Sequence, residues 1–167
     1  MNTIISLIAV IDNNFGIGSA GDQLVYISND LKRFKNLTSG KPVVMGRKTF
    51  EVLPKGALPN RRNIILSRNK NLNYPNTEIT CSVEETFDLL KNEKEIFIIG
   101  GGEIYKLFLP FANNIYLTHI HHIFEDADTF FPKFDKNKWQ SVLIEGNFFD
   151  EKSELYYSFE DYSLSPS

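Results

Sequence analysis

Glu95-Ile96-Phe97-Ile98-Ile99-Gly100-Gly101-Gly102-Glu103-Ile104-Tyr105 is the stretch on which the fold class turns. A short run dominated by Ile and Phe leads into three glycines, and a helical pattern leads out. Such a run reads as a strand buried on both faces, the habit of parallel strands. Three glycines exceed what a tight turn requires; they either serve the strand-to-helix turn or let backbone NH groups approach a phosphate. The same grammar recurs where Pro42 to Met45 runs into Gly46-Arg47-Lys48-Thr49 and a second helical pattern. Two strand ends of this type can clamp one elongated anionic ligand. Further apolar runs at Thr3 to Val10, Ile64 to Leu66 and Ile115 to Ile120 complete a set of buried strands.

Amphipathic segments lie between the runs. Ser28 reads as the N-cap of a helix from Asn29 to Thr38, with Asp30 in its first turn and Leu31, Phe34 and Leu37 spaced three apart. Ser82 and Glu85 form a capping-box pattern before Phe87, Leu89 and Leu90. Another helix follows Gly102 and ends before Pro110. Beyond Pro132 the pattern changes to hairpin-like strands around Trp139 to Ile144 and Glu154 to Tyr162. The expectation is an α/β sheet with antiparallel strands at its C-terminal edge.

A chain of 167 residues has room for one domain, 1–167, and no repeat, linker or low-complexity tract divides it. Hydrophobic residues at 42% and charged residues at 23% exclude a disordered chain. Cys81 is the only cysteine, which excludes an internal disulfide and a Cys-rich zinc site and fits a reducing compartment. The opening Met1-Asn2-Thr3 lacks the basic start of a signal peptide, and Ile4 to Ile11 is too short to cross a bilayer. A cytoplasmic protein with no membrane partner is expected. Residues 1–80 hold eleven Lys and Arg against five Asp and Glu, whereas residues 81–167 hold seven against sixteen. All five arginines, Arg33, Arg47, Arg61, Arg62 and Arg68, fall in the first part. Their planar forks suit phosphate or carboxylate, so an anionic small molecule is one reading and a solvated basic surface the other. A net charge of −3 without any run of like charge argues against a nucleic-acid partner.

Gly16-Ile17-Gly18-Ser19-Ala20-Gly21 has the spacing of a dinucleotide fingerprint after the first strand. The context fails: Asp12 to Phe15 intervene, Asp22 to Ile27 open no helix, and Lys41-Pro42 stands where an acidic residue belongs. Asp22-Gln23 likewise replaces the Lys-Ser/Thr of a P-loop. What remains is a mobile, Gly-rich loop of the kind used as a lid. Asp30 is the carboxylate best placed for chemistry, because the helix sets it beside apolar surface that would push its pKa up. Its bland reading is a residue stabilising the helix dipole. His119, His121 and His122 cluster, and the first two share a strand face; a metal needs more ligands than that pair, so ordinary strand histidines and no metal are expected. No nucleophile elbow or Ser-His-Asp order is present.

Taken together these residues resemble the dihydrofolate reductase family. The resemblance rests on Ile5-Ser6-Leu7-Ile8-Ala9, Phe15-Gly16-Ile17-Gly18, Asn29-Asp30-Leu31-Lys32-Arg33-Phe34-Lys35, Val44-Met45-Gly46-Arg47-Lys48-Thr49-Phe50-Glu51, Leu58-Pro59-Asn60-Arg61-Arg62-Asn63, Ile99 to Tyr105, and Tyr116-Leu117-Thr118-His119. Each piece alone is weak; their order and spacing make the match specific. It implies an α/β fold with a central, mostly parallel, eight-stranded mixed sheet flanked by about four helices, an NADPH cofactor, and reduction of 7,8-dihydrofolate by a monomer.

The resemblance also implies roles. Asp30 would hold the amidine-like edge of the pterin and favour protonation at N5, with Thr118 bonded to its carboxylate. Ile8, Leu31, Phe34, Leu53, Leu58 and Ile99 would wrap the pterin and aminobenzoyl rings, and Arg61 would fork the glutamate α-carboxylate. Arg47, Ser67 and Arg68, with Lys48 nearby, would surround the adenosine 2′-phosphate. Thr49 and the Gly100 to Gly102 turn, containing a cis peptide in the family, would meet the pyrophosphate. Ile17 and Gly18 of the lid would touch the nicotinamide, and Val10, Gly46, Leu66, Glu103, Ile104 and Tyr105 would complete the cofactor site.

One departure stands out: the family usually carries a tryptophan before the helix aspartate, commonly followed by Leu-Pro, and here the segment is Leu24-Val25-Tyr26-Ile27-Ser28. Two rival functions share some of these features. The related reductase of riboflavin biosynthesis has the fold and cofactor but takes a ribosylated pyrimidine, which would need no arginine for a glutamate carboxylate. A non-catalytic NADPH-binding module would use Asp30 only as a helix-start residue.

Overall fold

The computed structural model describes residues 2–165. Its strands are β1 (Ile4–Ile11), β2 (Gly16–Ser19), β3 (Asp22–Gln23), β4 (Val43–Gly46), β5 (Asn63–Leu66), β6 (Thr77–Thr80), β7 (Glu95–Gly100), β8 (Asn114–Ile120), β9 (Thr129–Phe130), β10 (Trp139–Asp150) and β11 (Leu155–Leu164). Eight of them form one sheet in the order β10-β11-β8-β1-β7-β4-β5-β6. All pairs from β8 through β6 are parallel, and the β8–β11 and β10–β11 pairs are antiparallel. A mostly parallel sheet with an antiparallel C-terminal edge is therefore what the chain builds. Helices α1 (Ser28–Thr38), α2 (Arg47–Glu51), α3 (Val83–Leu89) and α4 (Gly102–Phe108) accompany it.

The alternation of side chains along each strand sorts the core into two faces. Ile5, Leu7, Ala9 and Ile11 of β1 join Val44, Ile64, Ile96 and Ile98 beneath α3 and α4. Ile8 joins Val43, Met45, Ile65 and Phe97 on the opposite face, beneath Phe34 and Leu37 of α1 and Phe50 of α2. Both faces being buried explains why the central strands read as unbroken apolar runs.

Four features depart from the sequence reading. Ser28 is the first helical residue, not the cap; Ile27 holds the cap position without a side-chain bond, and Leu31 donates its NH to the Ile27 carbonyl. Ile27 is 1% exposed among Ile120, Tyr157 and Phe159, so packing sets the start of α1. At α3 the Ser82 hydroxyl does accept from the Glu85 NH, but the Glu85 carboxylate reaches the Cys81 NH instead of completing the capping box. Third, β6 carries no apolar run, because as an edge strand it is only half buried. Last, the Gly-rich loop expected to be mobile is built into regular structure: β2, β3 and β9 form a separate antiparallel sheet in the order β3-β2-β9. Elements of two to four residues are too short to show a period.

Candidate active site

Asp30, Phe34 and Thr38 are spaced four apart on α1 and so share a face, which spans about 12 Å along the axis at 1.5 Å per residue. The middle of that face is apolar: Phe34 and Leu37 pack with Ile8, Leu53, Leu58 and Ile99. Five of the six wall residues expected from the sequence thus come together. Leu31 does not join them; it is 47% exposed beside Asp30.

Asp30 lies at one end of this face, 8% exposed. Thr118 of β8 donates its hydroxyl to Asp30 Oδ1 at 2.5 Å, and Oδ2 takes no hydrogen bond from any described residue. Burial pushes the carboxyl above its ordinary value, while the Thr118 hydrogen bond and then the charge of Arg33 pull it back; burial wins. Tyr105, wholly internal, donates its hydroxyl to the Ile8 carbonyl at 2.6 Å. That bond pins α4 to β1, and burial, with the nearby Asp30 charge, holds the phenol above its ordinary value.

Arg61 lies at the far end. Its Nη1 donates to Thr38 Oγ1 and its Nε to the Pro59 carbonyl, both at 2.9 Å, and its guanidinium is 5.9 Å from the Phe34 ring centroid. No carboxylate pairs with it among the described residues. One helix therefore places a carboxyl group of raised proton affinity, an apolar wall and an unpaired arginine in a line.

A second group of residues gathers at the carboxyl ends of the parallel strands, where open α/β sheets bind ligands. Met45 lies opposite Gly100 across the β4–β7 pair, so Gly46 and the Gly100 to Gly102 turn stand side by side. The Gly100–Gly101 peptide is cis, and Gly100 has φ +127, a conformation glycine tolerates. A Cβ on Gly101 would sit 3.6 Å from the Thr49 hydroxyl, so that hydroxyl faces the turn. At Gly102 a Cβ would come within 3.0 Å of the Phe130 carbonyl; this close approach of β9 seats the small sheet on the turn.

The small sheet is tied down from below. Asp12 Oδ1 accepts from the NH groups of Asn14 and Gly16, each at 2.8 Å, and Oδ2 from that of Phe124 at 3.0 Å. Ile17 packs against the core and Asp128 accepts from the Ala20 NH. The sequence reading passed over Asp12, whose signal is the Asp12-Asn13-Asn14 run at a strand end, since Asx side chains bond backbone NH groups just ahead of them.

The arginines divide. Arg33 is tied to Asp161 and stacks 4.4 Å from the Phe159 ring centroid, and Arg62 bonds Glu78 at 2.8 Å and Glu93 at 3.1 Å. These two serve the fold, which corrects the reading of the whole cluster as ligand-binding or solvated. Arg47 makes only an exposed pair with Glu51 one turn on, and Arg68, exposed after β5, pairs with no acid among the described residues. Ser67 donates its NH to the Thr80 carbonyl and so holds Arg68 at the strand end. Lys48 and Glu103 are exposed, whereas Leu66 and Ile104 belong to the core, where a side chain can shape the site but hardly touch a ligand. Val10 is half-buried near Val25 and Ile27. Of the residues standing for the usual tryptophan, Val25 packs into that cluster, and Tyr26 turns outward to give its hydroxyl to Asp22.

Comparison with known proteins agrees with this geometry. The family model described as dihydrofolate reductase matches residues 4–164. The dihydrofolate reductase of Staphylococcus haemolyticus is 44% identical over 158 residues, 95% of this chain and 94% of that one. That of Bacillus subtilis (strain 168) is 38% identical over 164 residues, 98% and 96% of the two chains. Among solved structures, the dihydrofolate reductase from Enterococcus faecalis complexed with NADP(H) and RAB-propyl superimposes with a TM-score of 0.89 at 32% identity, covering 98% of this chain and 97% of that one.

Proposed function

The chain belongs to the dihydrofolate reductase family, and from that premise we propose which of its residues do the work. It is an NADP-dependent oxidoreductase that reduces 7,8-dihydrofolate to 5,6,7,8-tetrahydrofolate, with a hydride added at C6 and a proton at N5. The observation carrying the residue assignment is Asp30: buried, raised in proton affinity, held through Oδ1 by Thr118, with Oδ2 unbonded beside the apolar wall.

Asp30 holds the amidine-like edge of the pterin through its two carboxyl oxygens and keeps a proton available near N5, which arrives there through water. It acts as an orienting and electrostatic acid. Thr118 fixes its rotamer. Ile8, Phe34, Leu53, Leu58 and Ile99 enclose the rings and exclude water, which strengthens the field of Asp30 on the substrate. Leu31 covers the ring from its exposed position, and Arg61 takes the glutamate α-carboxylate in a bidentate pair.

The residues at the strand ends suit a phosphorylated dinucleotide. Arg68 and Lys48 offer uncommitted positive charge, Arg47 and Ser67 stand with them, and the Thr49 hydroxyl faces the backbone of Gly101. Gly46, Gly100, Gly101 and Gly102 present backbone where a side chain would intrude, positioned by Leu66, Ile104 and Tyr105, while Glu103 opens α4. Val10, Ile17 and Gly18 would border the nicotinamide. NADPH bound there supplies the hydride.

The remaining expectations extend this reading: one domain over 1–167, a monomer, and a cytoplasmic location without nucleic-acid partners. The single sheet running from Ile4 to Leu164 supports the first, and no helix among the described residues is long and apolar enough to cross a membrane. The test is loss of reduced-nicotinamide absorbance with dihydrofolate, comparing NADPH with NADH for the wild-type chain and for Arg68→Ala. A strong NADPH preference that Arg68→Ala relaxes is the expected result. Equal use of both cofactors by the wild type would remove the 2′-phosphate assignment.

A further inference from the structure

Outside the cleft, at the root of the small sheet, three metal-binding side chains meet. His119 lies on β8 and His121 just past its end, two residues apart, so they share a sheet face. Glu160 comes from β11, where Ser158 lies opposite His119 and Glu160 opposite Leu117, which puts all of them on that same face. The imidazole rings stand edge to face with centroids 4.9 Å apart. One ligand atom each from His119, His121 and Glu160 fall within 4.8 Å of one another.

The hydrogen bonds around the cluster are directional. His119 Nε2 faces Asn13 Oδ1 at 2.7 Å. An amide oxygen only accepts, so Nε2 carries a hydrogen, and the lone pair of the neutral ring is then on Nδ1. That lone pair points at Glu160 Oε2, 2.8 Å away. Two electron-rich atoms at that separation require a cation between them, and a proton or a metal ion would serve. Three things favour the metal. His121 Nε2 donates to Ser158 Oγ at 3.0 Å, and Ser158 donates to Glu160 Oε2, so a second imidazole converges on the same carboxylate oxygen and offers Nε2 as a ligand once its hydrogen moves to Nδ1. His121 is exposed, and that contact with Ser158 is its side chain's one hydrogen bond among the described residues. The Asn13 contact is the outer-shell bond that a metal-ligating histidine makes through its other nitrogen, fixing tautomer and ring orientation.

We propose that His119 through Nδ1, His121 through Nε2 and Glu160 through Oε2 bind a divalent transition ion of the zinc class, with a further position left to water. Two imidazoles and one carboxylate select zinc, nickel or copper over magnesium or calcium, which take oxygen ligands. A tetrahedral ion with bonds of about 2.0–2.1 Å spaces its ligands roughly 3.4 Å apart, so Nδ1 and Oε2 must open from their 2.8 Å separation while a rotation of His121 completes the set. The outer shell of this ion leads to the small sheet: Asn13 also donates its NH to the His122 carbonyl and follows Asp12, the residue that holds the Asn14 and Gly16 backbone. The pair of histidines alone was too few to signal a metal in the sequence; the third ligand lies 41 residues from His119, on a strand whose register only the fold reveals.

The test uses the full chain stripped with a chelator and dialysed against Zn²⁺, or against Co²⁺ for its visible ligand-field bands. One equivalent per chain is expected, with bands of a four-coordinate nitrogen and oxygen site and no competition from Mg²⁺. His121→Ala and Glu160→Gln should each weaken binding at least tenfold, and Asn13→Ala by about tenfold, the low end for an outer-shell partner. His121 is exposed, so its variant reads the site even where Glu160→Gln perturbs the sheet. Binding of less than one equivalent, as a proton on Nδ1 alone would give, overturns the proposal. So does binding that both variants leave unchanged, which would put the ion elsewhere, for instance at Cys81.

Discussion

Asp30 and Asp161 are both buried carboxyls on the α1 side of the sheet, and burial pushes both above their ordinary value. Their partners differ. Asp161, on β11 opposite Tyr116, is tied to the Arg33 guanidinium, which also lies over the Phe159 and Tyr116 rings. Asp30 takes a hydrogen bond only from the neutral hydroxyl of Thr118, with the Arg33 charge acting on it from a distance. When Asp161 loses its proton an ion pair remains; when Asp30 does, a carboxylate with one unbonded oxygen faces the cleft. The partner, not the burial, separates a carboxyl that holds the molecule together from one that can act on a substrate. Arg33 and Arg61 repeat the contrast with the sign reversed, one neutralised within the fold and the other without a carboxylate.

Replacing Asp30 with Asn gives the largest expected effect and is the sharpest way to break the comparison. Turnover should fall by about 10²–10⁴-fold, the range for a positioned acid–base group, with NADPH binding retained. Stability should move the other way. A carboxyl whose folded-state proton affinity is raised makes the native state hold its proton longer than the unfolded chain, so stability falls as pH rises above the ordinary value of 3.8. Asp30→Asn removes that penalty, and its Tm at pH 7 should exceed the wild type's. Unchanged turnover in a steady-state assay would take Asp30 out of the chemistry.

Arg33→Leu attacks the other member. Removing the arginine leaves Asp161 buried among aromatic rings with one oxygen, Oδ1, already lacking a partner. The expected cost is about 3 kcal/mol, the low end for one broken side of a buried pair, because Asp161 can take up a proton. For the same reason the loss should be larger at pH 8 than at pH 5 in urea unfolding. A variant as stable as the wild type at both pH values would mean that the pair is not what anchors α1 to β11.

The contrast also explains what could be read from the chain alone. The central strands were legible because both their faces are buried, and Asp30 was legible because a helical spacing put it beside Leu31 and Phe34. Asp161 was not, since it lies in a strand where nothing local distinguishes it from a solvent-facing acid. Nor could the five arginines be divided: Arg33 and Arg62 find their acids on strands β11 and β6 and near β7, and those pairings follow from sheet order. The full length of β10 escaped the hairpin reading, which stopped at Ile144, for a related reason. Its residues from Gln140 to Asn147 are exposed on both faces, so no alternation marks where the strand continues.

Arg61→Ala sharpens the comparison at the open end of α1. Its two hydrogen bonds hold no other charge, so unfolding should change little. Affinity for dihydrofolate should fall by an amount on the order of 1.5–3 kcal/mol, the range for a charge-assisted bond, with NADPH affinity unaltered. Equal weakening of both ligands in a binding titration would place Arg61 outside the glutamate site.

Thr118→Val is the smallest change and the most selective, since it keeps the shape and removes one hydroxyl. That hydroxyl donates to Asp30 and so favours the ionised carboxyl. Without it the proton is held more tightly, and any step that needs the protonated acid should persist to higher pH. The descending limb of the turnover–pH profile should therefore move up, not down. Stability should fall by about 1 kcal/mol, the net worth of one hydrogen bond, and mainly at neutral pH. There Asp30 would be ionised without a donor, whereas in acid it carries its own proton in either form. A limb that moves to lower pH would mean that Thr118 accepts from a protonated Asp30, and the hydroxyl would then be stabilising the acid form instead of opposing it.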